Sequence, residues 1–404
     1  MTDNNAAFIQ YADLRNKNWS LQERLNVEGI YVSSRDELVS AQDFIINTLK
    51  RPTIVRFAAP FATWTAPKTD INVGFVYLDG NGVSINAIIP NGTESDHNYF
   101  LRCYTSSGAL DNNVPIRPAP ILKDFTVKGI GAKINKGKDE TPTEYNYTDG
   151  IRFHSPEGPL GNFSVNNVYV SGFYYGLYYG TNAYIAHHYA CEVIRCFESL
   201  HMPSTSSGAQ NFGEGINFFG GTLGNSQGLA VRNANPNGAF RLFGTSIDYA
   251  GSIAYVEAGS IELHGCHMEF NNGNSPLTDI PFRCNANTNA GVRVSVPVAQ
   301  YEQLGACFTL KTVNGGTGNL FATLQYACIQ EHADNGISIV AKAAPAAWDA
   351  VMKADAYTEY AEYRFNANRR KVPVWATHVI LTFNLFALAK NGVLYLDNAC
   401  ITAM

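Results

Sequence analysis

Charge is scarce in this chain: Asp, Glu, Lys and Arg make up 16% of its 404 residues, and the formal net charge is −5. With no dense Lys/Arg stripe, the electrostatic footprint of a nucleic-acid binder is missing, although local basic clusters leave anionic glycans open. No apolar run reaches the length of a membrane span. The start, MTDNNAAFIQYADLRNKNW, lacks the basic opening and apolar core of a secretory signal. Cysteines are few, and Cys103, Cys191, Cys196, Cys266, Cys284, Cys307, Cys328 and Cys400 lack zinc-ligand spacing. They read as buried free thiols of a protein made in a reducing cytosol. No Gly-x-Ser-x-Gly elbow is present. His187-His188 has no acidic or thiol partner at ligand spacing, and the single pair Asp397-Asn398 does not make a calcium site, so no metal or cofactor is expected.

What is plentiful is Gly, Asn, Tyr and Phe, a mixture that suits β-structure with many turns. Residues 1–30 read as a short helical appendage with Phe8, Tyr11, Leu14, Trp19, Leu21 and Leu25 at loose helical spacing. Residues 31–70 read as a helical cap and first strands. There Ser34-Arg-Asp-Glu37 forms a capping box that opens a helix carrying Leu38, Ala41, Ile45 and Leu49 on one side. Such a helix would cover the open first rung of a solenoid, or lie on the surface as an ordinary helix.

From Ile71 short apolar pairs alternate with Gly and Asn, and a repeat emerges. FSVNNVYVSG (from Phe163), YIAHHYACEV (Tyr184), INFFGGTLGN (Ile216), FRLFGTSIDY (Phe240) and IELHGCHMEF (Ile261) stack with starts 21, 32, 24 and 21 residues apart. The inward columns are then Phe163, Tyr184, Ile216, Phe240, Ile261 and Val165, Ala186, Phe218, Leu242, Leu263. Asn167, His188, Gly220, Gly244 and Gly265 fall at a corner, being residues that tolerate left-handed backbone angles. A third strand per coil carries Leu177/Tyr179, Leu200/Met202, Leu229/Val231 and Ala254/Val256. Three strands per coil, in phase, predict a right-handed parallel β-helix over 71–290 rather than a large antiparallel sandwich. Beyond it the strand-like runs of 291–404, with one helix-like stretch around Trp348–Glu359, predict a C-terminal jelly-roll-like, carbohydrate-binding-like β-sandwich. The fold class is all-β with a short helical N-terminal segment.

Three features together resemble bacteriophage tailspike proteins of the pectate-lyase-like β-helix superfamily. They are the entry from Ser34 through Val55-Arg-Phe57 to Leu78-Asp-Gly-Asn-Gly82, the coils carrying Phe243-Gly-Thr-Ser-Ile-Asp-Tyr249 and Leu263-His-Gly-Cys-His-Met-Glu269, and the terminal sandwich. The resemblance implies a homotrimer on the virion tail that recognises, and usually cleaves, a bacterial capsule or O-antigen. Unlike many tailspikes, this sequence shows no large head-binding domain. Residues 1–30 then serve as a minimal anchor to other tail proteins, or attachment runs through another component.

Two outward faces carry candidate chemistry. Eight residues into each segment lie Ser171, Glu192, Gly224, Asp248 and Glu269. Coils stack about 4.8 Å apart, which puts Asp248 and Glu269 at the spacing of a retaining glycosidase and Glu192 with Asp248 near that of an inverting one. Ser246 and His267 stand beside this column, with Arg241, Glu262 and His264 across the corner, and of these Arg241, His264 and His267 are the substrate-binding candidates. The other face holds Arg152, Tyr178, His201 and Tyr255 in one row, with His154, Arg232 and Glu257 two residues further on. Those residue types suit β-elimination at a uronic acid, Arg neutralising the carboxylate while Tyr or His takes the C5 proton. Tyr178 and Tyr255 equally suit a trimer seam, and the run Tyr174–Gly180 either a sugar platform or a subunit contact. The readings are a glycosidase using Asp248 and Glu269 with Glu192 as alternative partner, a polysaccharide lyase, or an adhesin that grips glycan without cleaving it.

Overall fold

The computed structural model describes residues 29–58, 63–106, 120–130, 147–204, 213–226, 228–250, 252–256, 258–269, 282–285, 291–297, 303–313, 319–331, 337–342, 348–353, 361–387 and 393–403. Residues 1–28 of the segment expected to serve as an anchor, and Glu257, lie outside them. No helix among the described residues is long and apolar enough to cross a membrane.

Ser34 caps the helix Arg35–Phe44, its hydroxyl accepting from the Glu37 amide at 3.2 Å. The Glu37 carboxylate turns back one residue further than a capping box requires, accepting from Ser33 N at 2.6 Å. Leu38, Ala41 and Ile45 are buried in the same core as the strands. Gln42 donates to the Asp70 carbonyl and accepts from the Asn72 amide at 2.7 Å. It thus supplies side-chain bonds where the edge strand Thr69–Asn72 has no earlier strand to pair with. The helix is a lid on the first coil.

Parallel pairing begins before residue 71, since Ile30–Val32 pairs with Thr53–Phe57 and that strand with Val76–Ala87. From there the chain winds as a parallel β-helix with three strand faces. The first face runs through the opening half of Leu160–Ser171 to Ala183–Tyr189, Ile216–Phe219, Ala239–Phe243, Ser260–His264 and Gly291–Pro297. The second runs from the closing half of Leu160–Ser171 to Glu192–Ile194, Thr222–Gly224, Ser246–Asp248 and His267–Glu269. The third stacks Thr69–Asn72, Asn98–Tyr104, Thr148–Phe153, Tyr175–Tyr179, Glu198–Met202, Leu229–Asn233, Ser252–Val256 and Phe282–Asn285.

One coil departs from the expected register by two residues. Phe163 pairs with Ala186, not Tyr184, and Ala186 with Ile216. His188 therefore lies in the core column with Val165 and Phe218, and the corner falls on Ala190 at φ 50°. The polar character of His188 suggested a corner, but burial satisfies it. Its Nε2 meets the Tyr179 hydroxyl at 3.0 Å, Nδ1 faces the Asn217 carbonyl, and the ring stacks on Phe218 at 4.3 Å. Within this strand Ile185 takes φ 47°. The other corners stand where expected, at Asn167, Gly220, Gly244 and Gly265, all with positive φ. Cys103, Cys191 and Cys196 are buried free thiols, and burial pushes Cys191 and Cys196 up to about 12.

The solenoid passes without a break into antiparallel pairing. Gly291–Pro297 pairs in parallel with Ser260–His264 and antiparallel with His378–Ala387, while Phe282–Asn285 is parallel to Ser252–Val256 and antiparallel to Val393–Ala403. The helix-like reading of Trp348–Glu359 is corrected over its first half, where Trp348–Lys353 is a strand matched residue for residue with Leu324 back to Asn319, while 354–359 lie outside the described residues. Cross-strand pairing outweighs local propensity there.

Adjacent corner glycines give a contrast in stability. A Cβ at Gly221 (φ 74°) would come within 2.0 Å of the Cys191 carbonyl oxygen, whereas one at Gly220 (φ 65°) meets nothing within 4 Å. Urea denaturation should find Gly220→Ala about 1–2 kcal/mol less stable, from left-handed strain alone, and Gly221→Ala unable to hold the native coil. His188 sets a pH dependence. Burial lowers its pKa from 6.5 to about 3, so the unfolded chain takes a proton that the folded one refuses. Stability contributed by the neutral ring is intact above pH 6.5 and falls as pH drops toward 3, at up to about 1.4 kcal/mol per unit. Urea midpoints from pH 7 to pH 4 should decline less steeply in His188→Gln.

Candidate functional site

On the second face the outward carboxylate column is only partly as expected. Asp248 and Glu269 are register partners on adjacent coils, and Gly224 pairs with Asp248 on the other side. Glu192 is not in this column. The two-residue shift of its coil puts Ile194 there, paired with Ser171 and Gly224, while Glu192 pairs with Tyr169 and Thr222, in line with Ser246 and His267. Two coils and two residues of offset separate Glu192 from Asp248 by roughly 12 Å at the backbone, wider than an inverting pair. Ser246 Oγ donates to Asp248 Oδ2 at 2.7 Å, and Asp248 Oδ1 is buried without a hydrogen-bond partner. Across the corner, Arg241 Nε and His264 Nε2 both lie 3.5 Å from Glu262. His264 ends a ladder of rings, Tyr189–Phe219–Phe243–His264, spaced 5.1, 5.1 and 4.5 Å. The ring faces cover one another, so the ladder braces the coils rather than offering open platforms to a sugar. His267 is exposed, beside Ser246.

The third face departs from simple alternation. Phe100-Leu101, Ser199-Leu200, Ala230-Val231 and Ile253-Ala254 are consecutive pairs buried in the core. A Cβ on Gly176 would meet Val193 and Cys196, so Gly176-Leu177 is another inward pair. Two inward residues in succession leave the outward residues three apart, a break in alternation repeated in register coil after coil. One outward row is Tyr99, Asp149, Tyr175, Glu198, Leu229 and Ser252. The other is Arg102, Arg152, Tyr178, His201, Arg232 and Tyr255. Arg232 therefore stands in line between His201 and Tyr255, not two residues beyond the row as the sequence suggested.

This geometry builds two like units. Asp149, fully buried, is bound by His97 Nδ1 at 2.8 Å and Arg152 Nε at 2.7 Å. Glu198, also buried, is bound by His201 Nδ1 at 2.5 Å and by Arg232 at 3.5 Å. Tyr175 stacks on both imidazoles, 3.7 Å from His201 and 5.0 Å from His97. Arg152 lies over the Tyr99 and Tyr178 rings at 4.8 and 5.1 Å, and Arg232 over Tyr255 at 5.6 Å. Burial raises the Tyr178 phenol pKa against the pull of Arg152, so it holds its proton. Burial, then Arg102 and Arg152, lower that of His154, which accepts from Thr181 N at Nδ1.

Sequence reasoning named Tyr178, His201 and Arg232, and Tyr175 within the run read as a sugar platform or a subunit contact, but not Asp149, Glu198 or His97. The signal was the recurring four-residue frame Tyr99-Phe-Leu-Arg102, Asp149-Gly-Ile-Arg152, Tyr175-Gly-Leu-Tyr178, Glu198-Ser-Leu-His201 and Leu229-Ala-Val-Arg232. No cluster of metal-ligating side chains occurs among the described residues.

No family model matches the chain, and no curated protein matches it. Among solved structures it is similar to the enzymatically active domain of tailspike protein 4 of bacteriophage CBA120, at 12% identity and a TM-score of 0.33. The match covers 91% of this chain and 66% of that one. With overlap at that level, the roles of residues here rest on this chain's own geometry.

Breaking a buried ion pair from one side strands the other charge. Asp149→Ala, which leaves Arg152 and His97 without their shared acceptor, should lower stability by about 3–5 kcal/mol in urea titration.

Proposed function

We propose that the protein is a phage tail component that binds an acidic bacterial surface polysaccharide and cleaves it by β-elimination on the third face. One observation carries this reading: Tyr178, His201 and Arg232 occupy the same outward row on three consecutive coils. Coils about 4.8 Å apart put their reach within a single sugar linkage. Arg232 receives the uronate carboxylate and stabilises charge developing at C5. His201 donates its Nδ1–H in a hydrogen bond to the Glu198 carboxylate, which leaves the Nε2 lone pair to take the C5 proton. Tyr178, protonated because buried, donates to the leaving O4 as the C4–O4 bond breaks and the C4–C5 double bond forms. The pattern resemblance to tailspikes supports a capsule or O-antigen as the polymer. It also supports a homotrimer and attachment to other tail proteins through residues 1–30.

A second reading has its own support. Asp248 and Glu269 are register partners on adjacent coils, about 4.8 Å apart at the backbone, which is near the spacing a retaining hydrolase uses, and Asp248 Oδ1 is buried without a hydrogen-bond partner. Purified capsules incubated with the protein separate the two, reading reducing ends together with absorbance of the unsaturated uronate. Elimination gives both signals. His201→Ala should then lose at least about a hundredfold in rate, the usual scale for a missing base, while Asp248→Asn keeps it. Reducing ends alone, lost in Asp248→Asn and kept in His201→Ala, would replace the lyase with the hydrolase. Binding with neither signal would make the protein an adhesin.

A further inference from the structure

Asp149 takes no direct part in the elimination steps, yet it is built into the third face as tightly as Glu198. Its Oδ1 accepts from His97 Nδ1 at 2.8 Å, and its Oδ2 lies 2.7 Å from both Nε and Nη2 of Arg152. Nη2 also donates to the His97 carbonyl at 3.4 Å. The guanidinium is therefore held along one edge, and 19% of the Arg152 side chain is exposed. It lies over two phenol rings from the coils on either side, Tyr99 at 4.8 Å and Tyr178 at 5.1 Å. The Tyr99 hydroxyl is committed, donating to Asp70 at 2.7 Å. Tyr178 faces Arg152 on one side, and on the other His201 stacks on it at 5.5 Å. His154 meets it edge-on at 6.3 Å, and Tyr175, on its own strand, lies 6.1 Å away.

Burial keeps the proton on Tyr178 and also makes it reluctant to release that proton. When O4 takes it, the phenolate left behind is out of water and unfavourable. Burial is the largest influence on the Tyr178 phenol and raises its pKa, Arg152 comes second and lowers it, and Asp149 raises it. A guanidinium over a neutral phenol ring gains a modest cation–π attraction, whereas over a phenolate it gains a full charge pair. Arg152 therefore favours the state that forms as the C4–O4 bond breaks over the state that precedes it. Its low exposure limits the screening of that attraction by salt.

We infer that Arg152 is a positioning residue for the leaving-group step, fixed by Asp149 and His97 so that its charge stabilises the phenolate that Tyr178 becomes. The C5 proton goes to His201 Nε2, and the C5–H electron pair forms the C4–C5 double bond. The C4–O4 pair stays on O4, which takes the Tyr178 proton. An imidazolium and a phenolate are then left stacked 5.5 Å apart, and net transfer of one proton from His201 to Tyr178 resets the site. The two buried carboxylates divide the work, Glu198 serving the base and Asp149 the acid. This inference rests on the elimination reading, with Tyr178 as the acid.

The test compares the full chain with Arg152→Gln, Tyr178→Phe and His201→Ala on two substrates, reading the unsaturated uronate. One is a purified uronate-containing bacterial polysaccharide, and the other a synthetic uronide carrying 4-nitrophenoxide at C4, which departs without a proton. On the polymer Arg152→Gln should lose about tenfold or more in kcat with KM little changed. On the activated uronide it should stay within about twofold of the full rate. Tyr178→Phe should show the same contrast, His201→Ala should lose on both substrates, and adding Arg152→Gln to Tyr178→Phe should cost nothing more. If Arg152→Gln does not fold, Asp149→Asn with Arg152→Gln removes both charges of the buried pair and is held to the same outcomes. An equal loss on both substrates, no loss on either, or a loss that adds to that of Tyr178→Phe would overturn the role of Arg152 and leave the elimination reading standing. Full polymer activity in Tyr178→Phe, or a wild-type protein that yields no unsaturated product, would overturn both.

Discussion

Each coil of this chain satisfies its backbone by hydrogen bonds to the coil before and the coil after, and that requirement orders everything built on it. A residue in one coil has a register partner in the next, so side chains of like position line up in columns along the solenoid axis. Inward columns become the continuous apolar core, from Phe163 and Ala186 through Ile216, Phe240 and Ile261. Outward columns become ladders, as in the ring stack ending at His264. The third-face break in alternation follows the same rule: once one coil turns two successive residues inward, its neighbours must do so too or lose their pairing. Repetition of the defect is what brings Asp149 into reach of Arg152 and Glu198 into reach of His201.

Much of the fold was legible because this constraint leaves a trace in sequence. Glycine and asparagine corners and paired apolar positions gave four of five coils in correct register. The exception, the coil with His187-His188, failed because residue type is a weak guide to burial when a polar ring finds internal partners. His188 has Tyr179 and Phe218, neither of which is near it in the sequence pattern. The error then propagated to Glu192, which illustrates how a register slip carries every side chain of a strand to a new neighbour. On the third face a reading based on strict alternation sees Leu200 and Met202 as inward and stops there. The inward turn of Ser199 depends on contacts with Val193 and Ser226 from other parts of the coil stack, and those are not written in the local sequence.

The two polar faces differ in how their acids are held. Asp149 and Glu198 each have one oxygen bound by an imidazole and the other by a guanidinium, an arrangement that fixes the neighbouring imidazoles in orientation and tautomer. Asp248 has one oxygen held by a serine hydroxyl and the other without a bond. A fully engaged carboxylate orients other groups, whereas a half-engaged one retains capacity to accept from a ligand. The same residue type thus takes different work on two faces of one solenoid, set by whether guanidinium and imidazole groups lie on the neighbouring coils.

The frame repeated coil by coil also makes the third face modular. Each coil contributes one complete four-residue frame, with two residues for the core and two for the surface, and joins its neighbours through backbone bonds that are indifferent to side-chain identity. Recombination that exchanged one coil for another of the same frame would leave the interior filled and the pairing intact, yet alter one step in the surface row. Such a scaffold can change what it recognises one coil at a time, without redesigning the interior that holds it together.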